Sequence, residues 1–348
     1  MTRLVWLGWV AVAVCCLVLA ADRAMAQGGA DTVQFKKGLP QWVGGVTITK
    51  ETYKAIEVAG KEPRHPSEIE TIKHGDAPAD YFAAEQSLRQ GLYERAIQKF
   101  EEASKANARP WLKHYCQYYA AVSKQRMAEG DDLLAVASEY EKVIKDTPNG
   151  IKVPDAKYGV AQCYYLAGQL DKAAAVAAEI AKSDYGEAWQ LKGRIDYGKI
   201  LLDQGKGAEA VKVFEEIHKT AKGKGAMVDT YFQAAVHRGA ALVLAGQTAE
   251  AITLLTKTFE ETESEEVKAA VHNTMGDAYR SERKIREARD EYLRVVVLYA
   301  DVPEEHARAL FYAADCFVQL KEPENARKMQ NLLVQKHPDS VWRKRLSG

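Results

Sequence analysis

A helix pair that returns every 37 to 41 residues from Ala79 to the C-terminus constrains this chain more than anything else in it. The second helix of each copy is marked by Ala, with a large or apolar residue four positions on and usually another apolar residue three further. The copies read Ala96-Phe100-Ala103, Ala173-Ala177-Ile180, Ala210-Phe214-Ile217, Ala251-Leu255-Thr258, Ala288-Tyr292-Val295 and Ala326-Gln330-Leu333. A less regular copy has Tyr140 and Val143 with an extra residue after Ala135, which stands in for the marker. Gly91, Gly130, Gly168, Gly205 and Gly246 each stand five residues before the marker. Glycine there is expected to end the first helix in the left-handed conformation, so that the chain reverses into an antiparallel neighbour. Arg283 and Lys321 replace it in the last two copies, whose turns are expected to be strained or differently closed. Self-similarity at this period means a stack of repeats, each burying its apolar face on the next.

These residues resemble the tetratricopeptide repeat family. The best copy is His272-Asn-Thr-Met275-Gly276-Asp-Ala-Tyr279 followed by Ala288, Tyr292 and Val295. Gly198 and Gly239 fill the small interhelical position, and Ala84, Ala161 and Ala314 substitute for it. Helices that cross closely need a small residue where their backbones meet. The resemblance covers residues 79 to 340 and implies a mainly α fold, a right-handed solenoid of about seven helix pairs. The steps exceed the family's usual length of about 34 residues, and the ending Lys336-His337-Pro338-Asp339-Ser340 is similar to that of bacterial cell-envelope members.

Before the repeats, the chain divides into a targeting segment (1–26) and a second stretch (27–78); the repeats then run over 79–342, with a basic tail at 343–348. Arg3, the apolar run Leu4 to Ala20 and Ala24-Met25-Ala26 read as a secretory signal cleaved between Ala26 and Gln27. The run is nearly long enough to span a bilayer, so an uncleaved anchor is the alternative, and membrane contact is then confined to this segment. Either way the mature chain is expected in the periplasm or cell envelope. Cys116, Cys163 and Cys316 are widely separated and sit among alanines and aromatics, which favours free buried thiols over disulfides.

Residues 27–78 have another texture. Thr32 to Phe35, Gly45 to Thr49, Tyr53 to Val58 and Ile69 to Lys73 are short stretches rich in Val, Ile, Thr and aromatics, broken by Gly38, Pro40 and Gly44. A small β-rich module, SH3-like or a partial barrel, is expected to pack on the first repeat; a loose arm with one hairpin is the alternative.

Catalytic and metal signatures are missing from the sequence. The eight histidines include no pair at helical spacing for two ligands on one face. Gly223-Lys224-Gly225 lacks the strand and the following Ser or Thr of a phosphate loop. The acidic run Glu260 to Glu266 reads as a solvated turn, with Ser264 capping the next helix. No cofactor and no metal is therefore expected, and no enzymatic activity. The 48 basic residues cancel the 48 acidic ones, so no global field favours nucleic acid.

Protein or peptide clients are expected on the concave face lined by first helices. Projecting the register, the candidates are Tyr81, Glu85, Tyr158, Gln162, Tyr165, Lys192, Lys199, Asn273, Asp277, Arg280, Arg308 and Asp315. The positions where carboxylate-clamp members carry basic and amide residues hold Tyr158 and Gln162, Ile195 and Lys199, then Val236 and Ala240. A carboxylate clamp is thereby disfavoured. The sequence reading is an exported scaffold or adaptor in the periplasm or envelope, with a place in envelope assembly. The alternative is an enzyme accessory subunit or glycan-binding protein using the N-terminal module, where Lys36, Lys37, Trp42 and Lys50 lie together.

Overall fold

The structure, a computed structural model, describes residues 29–42, 44–106 and 110–346. The signal segment and the Ala26/Gln27 junction lie outside the described residues. The chain forms two compact units that divide between Gln190 and Leu191.

Among the described residues the first unit begins with four short strands, β1 (Thr32–Phe35), β2 (Ile48–Glu51), β3 (Ile56–Val58) and β4 (Ile69–Lys73). β1 pairs antiparallel with β4, and β2 with β3. Single bridges pair Asp31, just before β1, with Val46, just before β2, and Ile56 of β3 with Arg64, and a 3-10 turn at Pro66–Glu68 leads into β4. Alternation places Val33, Phe35, Ile48, Ile56 and Val58 on one face, where they form the module's own core. The module rests on the first helix of the second repeat: His74 stacks on Trp111, and Tyr115 donates to Glu51 Oε2 at 2.8 Å.

Three helix pairs follow in this unit: α1 (Ala79–Arg89) with α2 (Tyr93–Ala103), α3 (Trp111–Met127) with α4 (Asp132–Asp146), and α5 (Val153–Leu166) with α6 (Leu170–Lys182). α7 (Glu187–Asp203) begins in the first unit and continues in the second, where it pairs with α8 (Gly207–Ala221). The second unit goes on with α9 (Val228–Leu244) and α10 (Thr248–Glu261), α11 (Glu265–Ser281) and α12 (Ile285–Leu298), α13 (Pro303–Gln319) and α14 (Pro323–Lys336), and a last turn α15 (Val341–Arg345). The fold class is thus mainly α, with seven helix pairs of the solenoid-forming type among the described residues after a small strand module. Among the described residues no helix is long and apolar enough to cross a membrane.

The marker residues are the core. Ala96, Ala173, Ala210, Ala251 and Ala288 are each 0% exposed, and Phe100, Phe214, Leu255 and Tyr292 are equally buried. Each large side chain withdrawn in this way stabilises the pair by about 1.5–3 kcal/mol. The opposing first helix must leave room: a Cβ on Gly198 would lie 2.6 Å from the Phe214 ring, and one on Gly276 2.6 Å from Tyr292. In the irregular copy the marker moves by one residue. Ala135 is exposed and Val136 takes the buried slot four residues before Tyr140, because the extra residue turns α4 by one position.

Arg283 and Lys321 adopt φ of 60° and 64°. They keep the same left-handed closure as the turn glycines, so the strain is borne and the geometry is unchanged. Ser264 caps α11 by accepting from Val267 N, and Trp342 seals the last pair against Phe311 and Tyr312. Cys116, Cys163 and Cys316 are buried and free. Burial pushes the Cys163 and Cys316 thiols up to about 11 and Cys116 to about 12, which keeps them unreactive.

Candidate functional site

A cleft of about 950 Å³ lies within the first unit, between the strand module and the helices it faces. β4 supplies one wall through Ile69 to Ile72. Opposite it stand Glu85 of α1, Tyr115 and Tyr119 of α3, Lys152 to Asp155 at the start of α5, and Tyr185 to Trp189 leading into α7. One end is closed where Tyr53, from the β2–β3 turn, meets Tyr185 edge to face at 5.0 Å.

Lys152 is the centre of this arrangement. The segment that carries it lies directly on a histidine ring: a Cβ on Gly150 would come within 2.3 Å of His114, and Lys152 N donates to His114 Nε2 at 3.0 Å. Pro154 then starts α5, whose first turn needs no amide donor at that position. The Lys152 ammonium is left among three tyrosine faces, 5.4 Å from the Tyr115 ring centre and 5.5 Å from those of Tyr118 and Tyr119. Burial works against its charge, but Tyr119 and Asp155 outweigh it and the Lys152 pKa is raised.

The carboxylates of the cleft are in the opposite condition. Burial pushes Glu85 up despite a hydrogen bond from Tyr81 and the attraction of Arg89 and Lys152. Asp155 is raised for the same reason, with Lys152 opposing. Desolvated acids beside aromatic rings in a concave site are the combination that marks binding surfaces.

Of the residues projected onto the inner face, Glu85 lines the cleft, Tyr81 is buried beneath it, and Tyr158 reaches Trp189 with ring centres 6.1 Å apart. Gln162 is half-buried and accepts from Gln125 at 3.4 Å, while Tyr165 is exposed. Lys192 and Lys199 lie on α7, half-buried and exposed. In the second unit, Asp277 accepts from Tyr292 at 2.6 Å and from Arg308, and Arg308 also pairs with Glu305. Asn273 is 0% exposed and donates to the Glu305 carbonyl at 2.9 Å, so it ties α11 to α13 and is not open to a partner. Arg280 lies over Tyr312 at 4.2 Å, and Asp315 is exposed, accepting from Gln319. Asp277, Arg308 and Glu305 pair with one another, while Asn273 Oδ1 and Arg280 Nη1 are buried without a hydrogen-bond partner.

Sequence reasoning missed Lys152, Asp155, Glu70, Tyr119 and Trp189. Tyr115, Tyr118 and Tyr119 at i, i+3 and i+4 put three rings on one side of α3, and that spacing was the available signal. It also missed that Asp31, His74 and Asp76 bring three donor atoms within 4.8 Å of one another. Asp31 is engaged already: its two oxygens accept from Ile48 N at 2.9 Å and Gly75 N at 3.0 Å, and His74 lies 3.2 Å from Glu51. The group latches the base of the strand module. Trp42 packs edge to face on Phe35 at 4.8 Å and Lys50 pairs with Glu57 at 3.2 Å, so the basic-aromatic patch of the module serves its own packing.

Paired antiparallel helices with small residues at their crossings recur in each unit and define a helical-repeat fold. The chain carries tetratricopeptide repeats: the tetratricopeptide repeat profile matches residues 137–188 and 273–341. Among solved structures it is similar to a tetratricopeptide repeat protein from Parabacteroides merdae, at 13% identity and a TM-score of 0.59 over 76% of this chain and 95% of that one. It is similar also to the apo form of the quorum sensor NprR from B. thuringiensis, at 11% identity and 0.51 over 74% and 75%. The Rap protein complexed with Competence and Sporulation Factor gives 10% identity and 0.50 over 76% and 77%. At these identities the likeness is one of fold. No curated protein matches the sequence.

Proposed function

We propose that this protein is an exported, non-catalytic adaptor that holds protein clients in the cell envelope, with a place in envelope assembly. The fold itself is that of a protein-interaction scaffold. The observation that carries the reading to a particular surface is the cleft between β4 and the inner helices, where aromatic rings and desolvated carboxylates converge. The structural likeness to a Rap protein complexed with a factor is consistent with a concave face that receives a partner. Export rests on Arg3, the apolar run and Ala24-Met25-Ala26.

A photocrosslinking side chain placed at Trp189, inside the cleft, and separately at Lys142, exposed on α4, tests the scaffold reading in intact cells. A discrete adduct from Trp189 and none from Lys142 is expected; identical adduct patterns from both would overturn it. Export is checked by sequencing the N-terminus of protein released by osmotic shock, with Gln27 expected first. Recovery solely with the cytoplasmic fraction would overturn that part.

A further inference from the structure

We propose that the cleft takes an extended, lysine- or arginine-bearing peptide segment, which adds as a third strand to the open edge of β4. This rests on the scaffold reading above and names its partner chemistry.

Two observations carry it. The first is how the cleft meets the strand. Successive residues of a strand point to opposite faces, so a pocket against a face touches every second residue. Here Ile69, Glu70, Thr71 and Ile72 all border the cleft; a bulge at Glu70 interrupts the alternation there, but the regularly paired neighbours Thr71 and Ile72 both border it as well. It therefore meets β4 from the side, along its backbone. Among the described residues β4 is paired with β1 alone, and a strand with one unpaired edge offers a row of amides and carbonyls to another chain. Five residues of β4 give an edge about 17 Å long at ~3.3 Å per residue. The cleft beside it, at about 950 Å³, is of the size that encloses a ligand.

The second is charge. Four carboxylates line the cleft, Glu70, Glu85, Asp155 and Glu187, against two lysines, Lys36 and Lys152. The Lys152 ammonium is already directed at three tyrosine faces. Burial raises Glu85 and Asp155 although Lys152 attracts both and Arg89 and Lys73 also attract Glu85, so the desolvation of neither carboxylate is offset by the positive charge it has. A cationic side chain on an incoming strand supplies it. An acidic strand would add like charge to desolvated carboxylates, at a cost that rises with burial.

The test uses the purified protein and fluorescein-labelled eight-residue peptides followed by anisotropy. The probes are alternating Lys-Val, alternating Glu-Val, and two Lys-Val versions N-methylated either at every Lys or at every Val. Lys-Val is expected to bind at least tenfold tighter than Glu-Val. In a strand the amides of alternate residues face one edge, so one methylated version should lose at least tenfold and the other should bind like the parent. The variant Glu85→Gln/Asp155→Asn should weaken Lys-Val at least tenfold with its thermal melt unchanged or raised. Equal binding of Lys-Val and Glu-Val overturns the charge argument, and parent-like binding by both methylated peptides overturns strand addition. If no peptide binds while a side chain at Trp189 still crosslinks a client, this inference falls and the scaffold reading stands.

Discussion

The imidazole of His74 lies flat on the indole of Trp111, with ring centres 3.6 Å apart and planes 11° from parallel. Both rings are buried, and they join the end of β4 to the start of α3, across 37 residues of sequence. Around them Glu51 receives the Tyr115 hydroxyl and Tyr81 meets Trp111 edge to face at 5.4 Å. One wall of the cleft is held to the other at this joint.

Removing the indole should therefore release the module before it unfolds the repeats. Trp111→Ala is expected to cost about 3–5 kcal/mol, as for other buried aromatic truncations. The loss should fall on the amides of β1 and β4, whose hydrogen-exchange protection drops, while the amides of α13 in the second unit keep theirs. Tyr115→Phe removes one buried donor to Glu51 and should cost about 1–2 kcal/mol by urea denaturation. Unchanged protection in β1 and β4 for Trp111→Ala would show that the module holds without the stack.

Close approach at the helix crossing makes a second prediction. Gly198→Ala puts a methyl 2.6 Å from the Phe214 ring, which is closed in on all sides. It should destabilise the second unit by about 1–3 kcal/mol. Phe214→Leu shortens the opposing side chain, so the double variant should lose less than the two single losses added, with a coupling of about 1 kcal/mol. Additivity within a few tenths of a kcal/mol would mean that the two residues do not oppose each other.

Arg283 and Lys321 hold a conformation that a side chain with a Cβ adopts at a cost of about 1 kcal/mol. Glycine carries the same closure at Gly168, with φ of 72°. Lys321→Gly and Arg283→Gly should each raise stability by about 0.5–1 kcal/mol, and Gly168→Ala should lower it by a similar amount. Calorimetric melts of the three variants give the signs directly. The gain is net of the greater freedom glycine has in the unfolded chain, which sets its upper limit.

How much of this could be read beforehand depends on the distance over which the information travels. Alanine markers, turn glycines and the Ser264 cap act within one helix pair, and they were legible because spacing alone places them. Val136 displaced Ala135 from its slot because an inserted residue rotates a helix, which counting from glycine does not reveal. Asn273 had the right register for the inner face, yet it is buried against Glu305, a partner 32 residues on. Lys152 stands in the sequence as one lysine of an inter-repeat linker. Its role comes from three tyrosines of another repeat and from a strand some 80 residues earlier, and no local pattern announces such a convergence. The repeat was therefore read from the sequence, while the cleft had to be seen.

His114 turns that same convergence into a pH dependence. Its Nε2 accepts from Lys152 N, so the folded protein needs the neutral ring, and burial, with Lys152 adding to it, lowers the pKa from 6.5 to about 4. Above pH 6.5 the ring is neutral in both states and its contribution is fully present. Below 6.5 the unfolded chain takes a proton that the folded chain refuses, so stability falls until pH reaches about 4. At ~1.4 kcal/mol per pH unit, the interval is worth about 3 kcal/mol for one such group. His237, in the second unit, is lowered to about 4 by burial as well and should contribute a loss over the same window. His114→Gln is expected to lower stability at pH 7, by about 1–2 kcal/mol for the imperfect replacement of a buried acceptor. Below pH 6.5 it should flatten the acid limb of the first unit, and His237→Gln that of the second. Urea midpoints at half-unit steps from pH 7.5 to 4.5 separate the two. A parent-like acid limb in both variants would show that the ionisation driving it lies elsewhere.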